Sequence, residues 1–162
     1  MNRRAALTSF ATAALCLGLA APTSAQSLKE QLMGTWTLVS NVQKYQDGKE
    51  ENDFGPKLKG QLILSPNGRF SLFLIGGDRP KSTDPASTPV GPAVGYFGTY
   101  SIGEGDKSLV YHVEGSTYPN FEGTDQKATV SAIKGDDLTY VRAPIPSPKG
   151  PVVPTLTWKH AK

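Results

Sequence analysis

The rhythm of apolar and polar positions changes twice along this chain. From Ala5 to Ala21 the residues are almost unbroken apolar, behind Arg3 and Arg4 and ahead of Thr23-Ser24-Ala25. A basic start, an apolar run too short to span a bilayer and a small-residue stretch predict an export leader over 1–25, cut after Ala25. A brief amphipathic segment, Leu28 to Met33, then predicts a short helical turn. From Gly34 onward apolar residues come in runs of strand length, divided by Gly, Pro, Asn and Asp. Such runs are the mark of strands with one face buried, and no later stretch keeps a helical period.

The runs predict about eight strands. The first covers Thr35 to Gln46 and is closed by Asp47-Gly48; a charged stretch, Lys49 to Asp53, leads through Phe54-Gly55-Pro56 to Gly60. Gly60 to Ser65 and Arg69 to Ile75 flank Pro66-Asn67-Gly68, a strong hairpin signal because Asn and Gly accept positive φ at low cost. Residues 76–92 hold Pro80, Pro85, Pro89 and Pro92 and predict a long loop, which in a small domain is usually functional or mobile. Ala93 to Ile102 and Ser108 to Gly115 form a hairpin across Gly103-Glu104-Gly105-Asp106. Thr117 to Gly123 is a corner, followed by strands at Gln126 to Ile133 and Asp137 to Arg142. Pro144, Pro146, Pro148, Pro151 and Pro154 predict an extended connection before the closing strand, Thr155 to Lys159. Short links from each strand to the next give an all-β, closed or nearly closed antiparallel up-and-down barrel in residues 26–162.

Composition narrows the partners. The full chain has 17 basic and 14 acidic residues, but Arg3 and Arg4 leave with the leader, so the pI of about 9.0 overstates the basicity of the exported protein. Charges alternate in sign without a basic block, which argues against nucleic acid. The single cysteine, Cys16, also lies in the leader, so the exported chain would have no disulfide and no thiolate metal site. Leu15 ahead of Cys16 disfavours a lipoprotein anchor, and Ala5-Ala6-Leu7-Thr8 after the paired arginines favours general secretion over the twin-arginine route. No second apolar stretch could span a membrane as a helix. A periplasmic or extracellular monomer with no cofactor and no metal is expected.

Two pairs of residues invite chemistry. His112 and Glu114 share a strand face, because side chains two apart point the same way. If Ile102 pairs with Ser108, Gly98 falls opposite His112 and Tyr96 opposite Glu114. Tyr96, Tyr100, His112 and Glu114 would then line one pocket wall, with a His–carboxylate pair able to move a proton near neutral pH. A one-residue slip turns this face to solvent and puts Phe97, Leu109, Tyr111 and Val113 in the core instead. Phe70 and Arg79 complete the candidate ligand-binding set; Arg79 could grip an anion through its planar fork, or lie in a solvated turn paired with Asp78. Trp36 and Trp158 are expected to plug one barrel end, with Lys159 or Arg142 over an indole face. Glu122 and Asp125 are weak candidates for a glycosidase pair. Zinc spacing, nucleotide-binding glycine loops and nucleophile elbows are missing from the sequence.

Several stretches resemble the bacterial and fungal lipocalin-like domain family. They are Gly34-Thr35-Trp36-Thr37-Leu38-Val39-Ser40, Gly55-Pro56 with Gly60-Gln61-Leu62, Asn67-Gly68-Arg69-Phe70-Ser71 and Asp78-Arg79-Pro80-Lys81. Tyr96 to Tyr100, His112 to Ser116, Pro119-Asn120, Glu122 to Lys127 and Leu156-Thr157-Trp158-Lys159 follow in the same order. Ala128 and His160 stand where the family pattern often carries basic residues. The resemblance implies a barrel that binds a small, mainly apolar molecule in its interior. Two rival readings stand beside it. One is an isomerase, cyclase or dehydratase using His112 and Glu114 for proton transfer; no other catalytic residue is assigned. The other is a protein-binding or inhibitor module working through loops 76–92 and 143–154.

Overall fold

Nine strands, one helical turn and a 3-10 turn account for the regular structure of this computed structural model, which describes residues 26–52, 54–83, 91–147 and 149–162. The predicted leader, Asp53, Pro85, Pro89 and Pro148 lie outside the described residues. The strands are β1 (Gly34–Tyr45), β2 (Glu50–Glu51), β3 (Lys59–Leu64), β4 (Arg69–Ile75), β5 (Ala93–Gly103), β6 (Ser108–Ser116), β7 (Asp125–Lys134), β8 (Asp137–Arg142) and β9 (Val152–His160). Each long strand pairs antiparallel with the next, and β1 closes on β9. The result is the expected up-and-down barrel of eight strands, with β2 added as a short flap on β1. The last strand starts earlier than predicted and takes in Pro154. That proline lies beyond the final β8–β9 partners, Val141 and Thr155, where its missing N–H breaks no bond to β8.

One end is closed. The helix α1 (Leu28–Leu32) starts on a capping box between Ser27 and Glu30, and buries Leu28 and Leu32 under the barrel. Glu104, from the β5–β6 turn, accepts the Leu28 and Lys29 N–H groups at 2.9 and 3.1 Å. Trp36 is fully buried there; its indole N–H donates to the Leu32 carbonyl at 2.8 Å, and His160 packs edge-on against it. The predicted indole–cation contact is corrected. Lys159 pairs with Asp137 on the surface, and Arg142 lies over phenyl rings instead. Trp158 sits one layer further in, level with Leu38 and Leu138.

The other end is a mouth, formed by the β1–β3, β4–β5, β6–β7 and β8–β9 connections. The Pro66-Asn67-Gly68 hairpin, on the closed side, forms as predicted, with Gly68 at φ 79°. Leu62, Leu64, Leu72, Leu109 and Leu138 fill the barrel between the two ends and are fully buried.

Three register shifts, in β1, between β5 and β6, and in β7 between Val130 and Ala132, interrupt the alternation of inward and outward residues. In β1 the register shifts between Leu38 and Ser40, so Trp36 and Leu38 point in, and beyond the bulge Asn41, Gln43 and Tyr45 do. Between β5 and β6 the register shifts where Gly98 faces Val113 and Phe97 faces Gly115, so the extra residue is Glu114 of β6. The β5–β6 turn holds Glu104 to Lys107, so Ile102 pairs with Leu109, one residue away from the predicted partner. Lys107 sits at φ 54°, and the Asp106 carboxylate accepts the Ser108 N–H at 3.1 Å, which fixes this turn.

Candidate functional site

The register of β5 and β6 sorts the predicted site residues. Tyr96 faces inward and is buried; Tyr100 is half-buried, its hydroxyl donating to the Ser65 carbonyl at 2.9 Å near the closed end. Gly98 pairs with Val113, and a Cβ on it would lie 2.0 Å from the His112 carbonyl oxygen, so it marks a close backbone approach and leaves no room above an imidazole. His112 and Glu114 point outward. His112 Nδ1 lies 3.0 Å from Asp125, Glu114 accepts from Arg69 at 2.7 Å, and the two side chains do not form the expected proton-transfer pair. Leu109, Tyr111 and Val113 occupy the inner face in their place, whereas Phe97, on the outer face of β5 with Thr99 and Ser101, is 48% exposed.

Phe70 is buried in the wall, with ring centroids 4.7 Å from Tyr111 and 5.8 Å from Tyr96. Arg79 sits apart at the mouth, its Nε–H donating to the Gly76 carbonyl at 3.0 Å. Its expected partner Asp78 pairs with Lys57 at 3.0 Å instead. The structure therefore brings Phe70 and Tyr96 together and leaves Tyr100, Arg79, His112 and Glu114 in other places.

Around Phe70 and Tyr96 the barrel holds an aromatic chain. Phe121, from the 3-10 turn Pro119–Phe121 at the mouth, contacts Tyr96 edge-on at 5.7 Å. Tyr96 leads to Tyr111 at 6.5 Å, Tyr111 to Tyr140 at 6.5 Å, and Tyr140 to Trp158 at 6.1 Å. The Arg142 guanidinium sits between Tyr96 and Phe121, 5.9 and 5.7 Å from their ring centroids. It is 7% exposed and forms none of the ion pairs found among the described residues. One N–H donates to Gln126 Oε1 at 2.6 Å; the Gln126 amide in turn donates to Thr124 Oγ1, and that hydroxyl donates to the Phe121 carbonyl. The chain of bonds fixes the cation beneath the mouth loop.

These polar groups are under-partnered. Among the described residues, Asn41 Oδ1, Gln43 Oε1, the hydroxyls of Tyr96, Tyr111 and Tyr140, Arg142 Nε and Trp158 Nε1 are buried without a hydrogen-bond partner. The Tyr140 hydroxyl is close enough to Tyr111 and to the Trp158 N–H for each to influence its ionisation, yet none reaches hydrogen-bond geometry. Burial raises the pKa of all three phenols, only partly opposed by Arg142, so they stay neutral hydroxyl donors and acceptors at physiological pH. Separately, a cleft of about 450 Å³ lies beside the β1 bulge, lined by Val39, Asn41, Val42, Glu51 and Leu58 among others. Among the described residues no group of three or more His, Cys, Asp or Glu could hold a metal, and no helix is long and apolar enough to cross a membrane.

Sequence reasoning missed Asn41, Gln43, Tyr111, Tyr140 and Arg142 as site residues. A signal for two of them was present, because Tyr140 and Arg142 alternate in phase with Leu138 along β8 and a charged residue on a core face is unusual.

No curated protein matches the chain. Among solved structures, a redesigned β barrel is similar at 14% identity, covering 84% of this chain and 96% of its own, with a TM-score of 0.45; a likeness that distant lends nothing to function. A family profile described as a lipocalin-like domain matches residues 33–161, from the end of α1 through β9. A match across the whole barrel, together with its closed eight-stranded sheet, shows that this chain belongs to the lipocalin-like domain family.

Proposed function

We propose that this protein is an exported carrier or receptor that takes a small, mainly apolar molecule into the mouth half of its barrel. The carrying observation is the set of seven buried polar atoms left unpartnered among the described residues, five of them on Tyr96, Tyr111, Tyr140, Trp158 and Arg142 along one aromatic wall and two on Asn41 and Gln43 of β1. Leaving such a group unsatisfied costs about 1–3 kcal/mol, and native proteins hold few of them per hundred residues. Several in one barrel interior is the pattern expected where a bound molecule supplies the missing partners. The surrounding Leu, Val, Phe and Trp surface suits an apolar body, and the polar groups suit one functionalised end.

Export rests on the leader pattern of residues 1–25 and accords with a fold that uses no cysteine. Native mass spectrometry of the protein recovered from its own cells tests the binding reading. A small molecule that travels with the folded chain and leaves on denaturation is the expected result. A bare polypeptide mass, with no uptake of apolar molecules added afterwards, would refute it.

A further inference from the structure

We propose that the polar end of this site recognises a carboxylate, with Arg142 as its principal ligand and the hydroxyls of Tyr96, Tyr111 and Tyr140 as supporting donors; the inference rests on the interior-ligand reading above. Arg142 is a buried cation that forms no ion pair among the described residues, and its Nε–H is unspent. Its other recorded hydrogen bond goes to a neutral amide, and the two rings around it are neutral as well. A buried charge is held at large cost unless an opposite charge meets it. Water could satisfy the N–H groups, but only an anion supplies the opposing charge. The guanidinium fork matches the two oxygens of a carboxylate, and neutral phenols beside it can donate to the same anion. Gln126 is a positioning residue, since its side chain accepts from Arg142 and donates to Thr124. The ligand class is therefore an apolar monocarboxylate, of the kind formed by a fatty or aromatic acid.

The test compares octanoate with octan-1-ol, and palmitate with hexadecan-1-ol, by calorimetric titration at neutral pH. The full exported chain, stripped of any bound molecule, is used. At least one acid should bind about tenfold or more tightly than its alcohol, the difference expected for one charge-assisted pair. Arg142→Met should bring the acid down to the affinity of the alcohol and leave the alcohol unchanged. Acid and alcohol binding equally to wild type would overturn the carboxylate assignment and leave the interior-ligand reading standing. Tighter binding of octyl phosphate than of octanoate would also overturn it. Binding of none of these compounds would withdraw both readings. If Arg142→Met does not fold, the wild-type comparison still decides, and Tyr111→Phe supplies a milder variant that should weaken the acid and spare the alcohol.

Discussion

Tyr111 shows at the scale of one residue why this interior is unusual. Its ring fills space that a core needs, while its buried hydroxyl lies near that of Tyr140 without reaching full hydrogen-bond geometry. Removing that oxygen should not weaken the empty protein. Tyr111→Phe is expected to leave the stability of the stripped protein unchanged or raise it by about 1 kcal/mol, because a desolvated hydroxyl is lost and no hydrogen bond of full geometry goes with it. Denaturant melts check this; a loss of about 1 kcal/mol or more would show that the hydroxyl is satisfied within the chain. The same phenols predict a response to alkali. Tyr96, Tyr111 and Tyr140 have pKa values raised by burial above 10.0, so the unfolded chain releases their protons before the folded one does. Their contribution to stability is complete below pH 10 and is lost as pH rises through the folded values. Melts in alkali should show a decline beginning near pH 10 that is smaller in Tyr111→Phe, and an unchanged slope would contradict the burial of that phenol.

At the scale of elements, the bulges and the closed end carry most of the consequences. Trp36→Ala should cost about 3–5 kcal/mol, since it removes a fully buried indole, its bond to Leu32 and the floor under the barrel. Gly98→Ala should destabilise by more than about 1 kcal/mol, because the new methyl meets the backbone of β6 rather than a side chain that could turn aside. A thermal shift within error of wild type would place the β5–β6 register elsewhere. This register is where sequence reasoning ran out. Strand positions were legible from alternation and turn residues, and β4 and β8 came out with the expected bounds. The inward face of β6 was not, because the Glu104–Lys107 turn is one residue shorter than the predicted pairing of Ile102 with Ser108 requires, and that one-residue slip reverses the parity that alternation relies on. His112 and Glu114 therefore looked like a site and turned out to belong to an outer ladder of surface charges with Arg69 and Asp125. In β1 the bulge at Val39 had the same effect, carrying Asn41 and Gln43 inside where an unbroken alternation would place their neighbours.

For the whole molecule, the barrel is closed by α1 at one end and carries its polar interior toward the other. That polarity gives the fold a direction: a ligand would enter past Phe121, and its charged end would stop at Arg142. Export is tested separately, by N-terminal sequencing of the secreted protein. The expected first residue is Gln26, and an intact leader, or a start beyond Leu28, would contradict it. The central claim, that the barrel interior is completed by a bound molecule, is met most directly by a high-resolution crystal structure of protein purified from its own cells without refolding. The account predicts continuous density within hydrogen-bonding distance of Arg142 Nε and at least one of the Tyr96, Tyr111 and Tyr140 hydroxyls, extending over more atoms than a water. Isolated waters that satisfy each of these groups, or a rearranged core in which they bond to one another, would contradict it.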